Sequence, residues 1–257
     1  MSAGFAAGEE EWRARLGTLR QVVRQEVVAR QLAGSMPDLP PLRVLDIGCG
    51  QGTQALLLAR RGHVVAGLDS SAQLLDDFRA ALAVEPAEVG DRVRLVQGEA
   101  EAVTDLFAPS SFDVVLCQGV LMYFPDPGPL LDAIAQVVAP GGTVSLLVRN
   151  GDAMAMRPGL LGDWATCRSA FGSDRYENRI GVSARGDRLA DLTGRLAGHG
   201  LRVTAWYGVR VFTDTAAGDA EPPPDLAALL DCEERAGCTD PYRQVAALLH
   251  VIARKGE

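Results

Sequence analysis

Lysine is almost missing from this 257-residue chain: Lys255 is the only one, so the basic side chains are nearly all arginines. Histidine is scarce too, and His63, His199 and His250 form no recognisable dyad with a nucleophile, which argues against chemistry that depends on a histidine base. Positive charge is in deficit, with a formal net charge of −8, and this speaks against a coat protein spread over an anionic polymer while leaving room for a local basic face. No apolar run approaches the roughly 20 residues that span a bilayer, and Met1 to Glu10 lacks a basic segment followed by an apolar one, so a cytoplasmic chain with no membrane partner is expected. The cysteines (Cys49, Cys117, Cys167, Cys232, Cys238) are odd in number and scattered, as reduced thiols would be. Cys232 and Cys238 have no matching His/Cys pair, so no metal site is expected.

What is present is an alternation of strand and helix patterns in a chain with 47% hydrophobic residues, enough to bury one core across residues 1–257. Glu9 to Leu32 carries Trp12, Leu16, Leu19, Val22, Val23, Val27 and Val28 at helical spacing, which predicts a single amphipathic helix. Three prolines between Gly34 and Pro41 end it, and residues 1–40 read as an N-terminal helical cap. Strand patterns follow at 43–47, 63–68, 93–97, 112–117, 143–148, 201–212 and 245–254, with helices at 53–61, 71–84, 129–138, 187–197 and 225–235. Such alternation implies parallel strands joined by right-handed crossovers, a doubly wound α/β sheet with helices on both faces and an antiparallel final strand at an edge. Residues 149–186 break the rhythm and read as an insertion or lid carrying Met154, Met156, Trp164, Phe171 and Tyr176.

The sharpest local signal is Asp46-Ile-Gly48-Cys49-Gly50-Gln51-Gly52, where the first strand gives way to a helix at the carboxyl edge of the sheet. Gly48, Gly50 and Gly52 let the backbone turn tightly and come close to a ligand. A dinucleotide fingerprint would be G-x-G-x-x-G, but position 53 is threonine, and Asp46 would repel a diphosphate while attracting a cation. Asp69 closes the second strand, where a carboxylate accepts hydrogen bonds from ribose hydroxyls, and Ser70 follows it. A ribose plus a positively charged amino acid describes S-adenosyl-L-methionine, whose product after transfer is S-adenosyl-L-homocysteine. A purely structural glycine turn shares the spacing but not the two flanking acids.

Asp46 to Gly52, Asp69, Phe112 to Cys117 and Pro140-Gly-Gly142 together resemble the class I S-adenosylmethionine-dependent methyltransferases, over about residues 40–150. The resemblance implies a Rossmann-like, seven-stranded, mostly parallel sheet. A narrower resemblance, to the tRNA 5-carboxymethoxyuridine methyltransferase family, rests on Leu19-Arg20-Gln21, Leu42 to Asp46, Arg61-Gly-His63, Gly208 to Phe212, Asp240-Pro-Tyr242 and His250 to Lys255. It implies cofactor contacts at Arg20, Gly48, Cys49, Asp69, Ala100, Glu101 and Gln118. Cys49 stands where that family usually has glycine and Gln118 where it has histidine, and Ser173 to Arg179 lacks the family's run of lysines.

For the acceptor, residues 149–210 hold ten arginines against six acids, which points to an anionic partner, either tRNA or a small molecule carrying a carboxylate or phosphate. Arg149, Tyr207 and Arg210 are the candidate acceptor contacts, and Arg210, flanked by Val209 and Val211 in an apolar run, needs a partner if buried. Trp164 and Trp206 could add stacking surface. A carboxylate acceptor is already ionised near neutral pH, so no catalytic base is assigned. A phenol, hydroxyl or amine would want one, with His199, His250, Tyr123 and Glu101 as candidates. Asp126 and Asp152 are placed by position alone. Three functions remain: a carboxylate methyltransferase, a small-molecule O- or N-methyltransferase, and a nucleoside-binding protein without activity.

Overall fold

A computed structural model of the chain describes residues 8–36 and 41–257. Part of the proline stretch and the first seven residues of the expected cap lie outside the described residues. Five parallel strands, β1 (Arg43–Ile47), β2 (Val64–Asp69), β3 (Val93–Gln97), β4 (Phe112–Gln118) and β5 (Val138–Asn150), lie in the order β3-β2-β1-β4-β5. The last strand in chain order, β9 (Leu248–Lys255), pairs antiparallel with β5 on one side and with β8 (Leu201–Val209) on the other. It is therefore interior, not at the edge that the sequence pattern suggested. A strand covered on both faces and both flanks is mostly apolar, and Leu248 to Ala253 is buried without interruption, with His250 its one polar side chain, bonded at both ring nitrogens. Two further strands come from the insertion: β6 (Arg175–Glu177) and β7 (Ser183–Asp187) form a hairpin, and β7 joins β5 at Arg149 and Asn150. Among the described residues the sheet thus has nine strands, seven of them in the expected pattern.

Alternating residues on each strand feed two cores. Leu45, Ile47, Val115, Cys117, Val144 and Leu146 face α7 (Gly128–Val137) and α10 (Leu189–Gly198). Val44, Val65, Val114, Leu116 and Ile252 face α3 (Thr53–Arg60) and α4 (Ala72–Leu82), whose Phe78 is fully buried. This alternation is the period-two geometry of a sheet covered on both faces.

The N-terminal helix is broken in two. Helix α1 (Glu9–Ala14) stops, Thr18 is extended, and α2 (Leu19–Ala33) starts afresh. The Leu19 N–H, which an unbroken helix would give to Arg15, donates instead to the Ala220 carbonyl at 2.7 Å. The break lets α2 pack Val23, Val27 and Val28 against Leu147 and Leu248, while α1 swings over the glycine loop, tied to α4 by a bidentate Arg13–Asp77 pair. Helix α5 (Ala87–Gly90) and α6 (Val103–Leu106) are single turns, and the insertion adds α8 (Met156–Leu160) and α9 (Trp164–Ala170). Helix α11 (Leu226–Cys238) packs on α2 and β8. No helix among the described residues is long and apolar enough to cross a membrane.

Candidate functional site

One cavity of about 630 Å³ opens at the carboxyl edge of β1, β2 and β4, floored by the glycine loop, walled by α2 and roofed by the insertion. The loop is shaped by its glycines: Gly48, Gly50 and Gly52 have φ of +69°, +54° and +84°, the left-handed region that side chains avoid. A Cβ at Gly48 would lie 2.3 Å from Val120, and one at Gly52 would lie 2.3 Å from the Phe78 ring. Main-chain bonds from Gly48 and Cys49 to the Leu68 carbonyl hold the loop against β2.

Two buried carboxyl groups sit beneath it. Asp69 accepts from the Gly50 N–H at 2.8 Å and the Ser71 N–H at 3.0 Å. Burial still leaves its pKa above the ordinary value. Asp46 lines the cavity with no hydrogen-bond donor among the described residues, and burial together with the Asp69 charge pushes it up to about 7, against the pull of Arg24. A floor of two acids is hostile to a diphosphate and receptive to a cation and to ribose hydroxyls, so these residues fit S-adenosylmethionine.

The far wall has the opposite sign. Asp214 is paired with Arg20 at 2.7 Å and lies 3.5 Å from Arg210 and 3.6 Å from Arg149. Burial alone would raise its pKa, but Arg210, Arg20 and Arg149 hold it at about 2. One carboxylate cannot satisfy three guanidinium groups. The Nε atoms of Arg20, Arg149 and Arg210 are all buried without a partner, and burial with the neighbouring Arg210 charge lowers Arg20 to about 9. Arg149 also lies over the Tyr176 ring at 5.5 Å. Arg210 does not belong to a strand: β8 ends at Val209, and Arg210 takes φ of +60°, a strained conformation for an arginine. Buried Glu233 of α11 holds that turn, accepting from the N–H groups of Val211, Phe212 and Thr213 and from the Thr213 hydroxyl.

Of the residues singled out in the sequence, Arg20, Asp46, Gly48, Cys49, Gly50, Asp69, Gln118, Arg149 and Arg210 line the cavity. Others do not. Gly52 turns its back, packed on Phe78. The Ser70 carbonyl accepts from Gln97, while its neighbour Ser71 caps α4. Ala100 is in the core and Glu101 is exposed at the turn after β3. Tyr207 corrects the expectation of an acceptor contact: its ring lies 5.9 Å from His250 and its hydroxyl 3.4 Å from Ser35, under α2 and away from the cavity. Trp164 is 71% exposed, and Trp206 carries the Arg243 guanidinium at 3.9 Å. Asp126 caps Gly128, and Asp152 pairs with Arg188 at the surface. Among the base candidates, His199 pairs with Asp132 at the surface and His250 of β9 is sealed between the sheet and α2, where burial lowers it to about 3. Only Tyr123 reaches the cavity, and burial pushes its hydroxyl up to about 12. No metal-holding cluster of His, Cys, Asp or Glu occurs among the described residues.

Sequence reasoning missed Arg24, Asp214, Tyr176 and Glu233. Arg24 had a signal: Arg20 and Arg24, with Gln21 and Gln25, make i,i+4 polar pairs on α2, and all four line the cavity. Burial lowers Arg24 to about 10, and it donates to the Gln118 carbonyl at 3.0 Å.

Residues 45–146 match the model of the methyltransferase domain family. The tRNA 5-carboxymethoxyuridine methyltransferase of Escherichia coli K12 is 30% identical over 241 residues, covering 93% of this chain and 90% of that protein. The chain belongs to the S-adenosylmethionine-dependent methyltransferases. The ubiquinone biosynthesis O-methyltransferase of a Klebsiella pneumoniae strain is 41% identical over 118 residues, 44% of this chain and 46% of its own. Among solved structures, an S-adenosylmethionine-dependent methyltransferase from Mesorhizobium loti superposes with a TM-score of 0.60 at 21% identity, covering 88% of this chain and 96% of its own. The [4+2]-cyclase SpnF superposes with a TM-score of 0.59 at 20% identity, covering 89% and 80%. These likenesses establish the fold, and they span different chemistries on it.

Proposed function

We propose that this methyltransferase acts on a carboxylate, and that the carboxymethoxy group of a wobble uridine in tRNA is its acceptor. The observation that carries the reading is the wall of three buried guanidinium groups sharing one carboxylate, with three unpaired Nε atoms. Buried arginines short of acceptors are a site for a second carboxylate, which the planar fork binds in a fixed orientation. Arg149 and Arg210 take the acceptor in this reading. Asp69, the Gly48 to Gly50 backbone, Cys49, Asp46, Gln118 and Arg20 hold the cofactor.

The bound cofactor supplies a methyl group on a positively charged sulfur, a leaving group good enough that transfer depends on alignment and desolvation. The chain's part is to orient the acceptor oxygen along the sulfur–carbon axis and to exclude water under the insertion. An ionised carboxylate needs no proton removed. That agrees with a cavity whose one candidate base among those considered, Tyr123, holds its proton to about pH 12. The tRNA reading draws on the relative that matches across 93% of the chain.

A small anionic acceptor is the second reading, favoured by the roof over the cavity and a volume within the roughly 300–1,000 Å³ of small-molecule pockets. Incubation with methyl-labelled S-adenosylmethionine and either bulk tRNA or a metabolite extract decides between them. Label in tRNA that mild base releases, as it would an ester, is the expected result. Base-labile label confined to small molecules selects the second reading, and base-stable label in either fraction overturns a carboxylate acceptor.

A further inference from the structure

A row of polar side chains crosses the sheet beneath α2. Asp46 of β1 pairs in register with Leu116 of β4, Leu116 with Ser145 of β5, Gln118 with Leu147, and Leu147 with His250 of β9. Paired residues, and those two apart on a strand, point to the same face, so Asp46, Gln118, Ser145 and His250 share one face of four adjacent strands. Three of them form a continuous hydrogen-bonded chain. Gln118 Nε2 lies 2.9 Å from Ser145 Oγ, which lies 2.8 Å from His250 Nε2. His250 Nδ1 lies 2.8 Å from Gln31 Oε1, and Gln31 Nε2 lies 3.1 Å from the Gly208 carbonyl.

A main-chain anchor fixes the direction of every proton in it. The Gly208 carbonyl can only accept, so Gln31 turns its NH₂ toward Gly208 and its oxygen toward His250. The Nδ1 of His250 must then carry the hydrogen. The ring is fully buried and neutral, which leaves Nε2 as a bare acceptor for the Ser145 hydroxyl proton. The Ser145 oxygen accepts from the Gln118 NH₂, and the remaining Gln118 atom, Oε1, has no protein donor among the described residues while Gln118 lines the cavity.

We propose that Gln31, His250 and Ser145 are positioning residues that lock Gln118 with its carbonyl oxygen toward the cavity, so that it accepts a hydrogen bond from the amino group of the bound cofactor. The inference rests on the reading that this cavity takes S-adenosylmethionine. Asp46, on the same face, supplies the matching negative charge for a cationic amine.

The test is calorimetric titration of the full chain with S-adenosylhomocysteine and with its analogue lacking the α-amino group. In the wild type the analogue binds about tenfold more weakly. Ser145→Ala lowers affinity for S-adenosylhomocysteine about fivefold and leaves the analogue unchanged, because the coupling runs through the amine. Gln118→Leu does the same and serves if Ser145→Ala fails to fold, while Gln118→Glu, which keeps an acceptor oxygen, retains the preference for the amine. Equal losses for both ligands in Ser145→Ala and Gln118→Leu, or no loss, overturn the proposal. So does a ¹⁵N spectrum showing His250 with its hydrogen on Nε2. Failure of the wild type to bind either ligand would instead sink the cofactor assignment itself.

Discussion

Asp46 is a carboxyl group that holds its proton to about pH 7 in the folded chain, far above its ordinary value of about 3.8. Between those two values the folded state binds more protons at this group than the unfolded one, so the contribution of Asp46 to the stability of the ligand-free protein is fully present below about pH 4 and is lost as pH rises to 7. A cationic ligand prefers the ionised carboxylate and reverses the trend. S-adenosylmethionine is expected to bind more tightly at pH 8 than at pH 6, releasing a proton at the lower pH. Calorimetry in buffers of different ionisation enthalpy reads that proton directly, and Asp46→Asn abolishes it. A second expected outcome separates the two walls: Asp69→Ala weakens cofactor binding at least tenfold, about 1.4 kcal/mol. Arg210→Ala leaves it near wild type and raises KM for the acceptor, checked by titration and steady-state kinetics. Asp46, Asp69 and the glycines were legible in sequence because the requirement there is local, a tight turn between two strand ends. Asp214 and Glu233 were not, because one lies in a loop and the other on α11, and their partners are brought to them only by the tertiary fold.

At the scale of elements, the glycine loop offers a paired comparison. Gly52 and Gly62 both have positive φ, but a Cβ at Gly52 meets the Phe78 ring at 2.3 Å whereas one at Gly62 meets nothing within 4 Å. Gly62→Ala therefore costs backbone strain alone, about 1 kcal/mol, and Gly52→Ala adds overpacking for about 3 kcal/mol in all, read from urea unfolding midpoints. The same contrast explains what the pattern of residues conveyed. Strand and helix periods located β1 to β4 within a residue or two, but began β5 at Thr143, five residues after its start at Val138. They missed the break at Thr18, because it depends on a bond from Leu19 to Ala220, about 200 positions away. They also ran β8 on through Arg210, since Val209-Arg-Val reads as strand until Glu233 captures the following N–H groups. The polar chain from Gln31 to His250 was invisible for a like reason, its members lying 219 positions apart.

For the whole molecule, binding and stability are linked. S-adenosylmethionine at one hundred times its Kd stabilises the folded state by about 2.7 kcal/mol, which for a chain of this size raises Tm by about 5 to 10 °C. Differential scanning calorimetry is expected to show that rise in the wild type and no more than about half of it in Asp69→Ala at the same ligand concentration.

The interior place of β9 carries a consequence for folding. Until residues 248–255 are in place, β5 presents a flank of unpaired main-chain N–H and C=O groups and β8 has no strand to lie against. A chain in which those residues are not yet in place thus has a gap through the middle of its sheet, with an unpaired edge on either bank that invites aggregation.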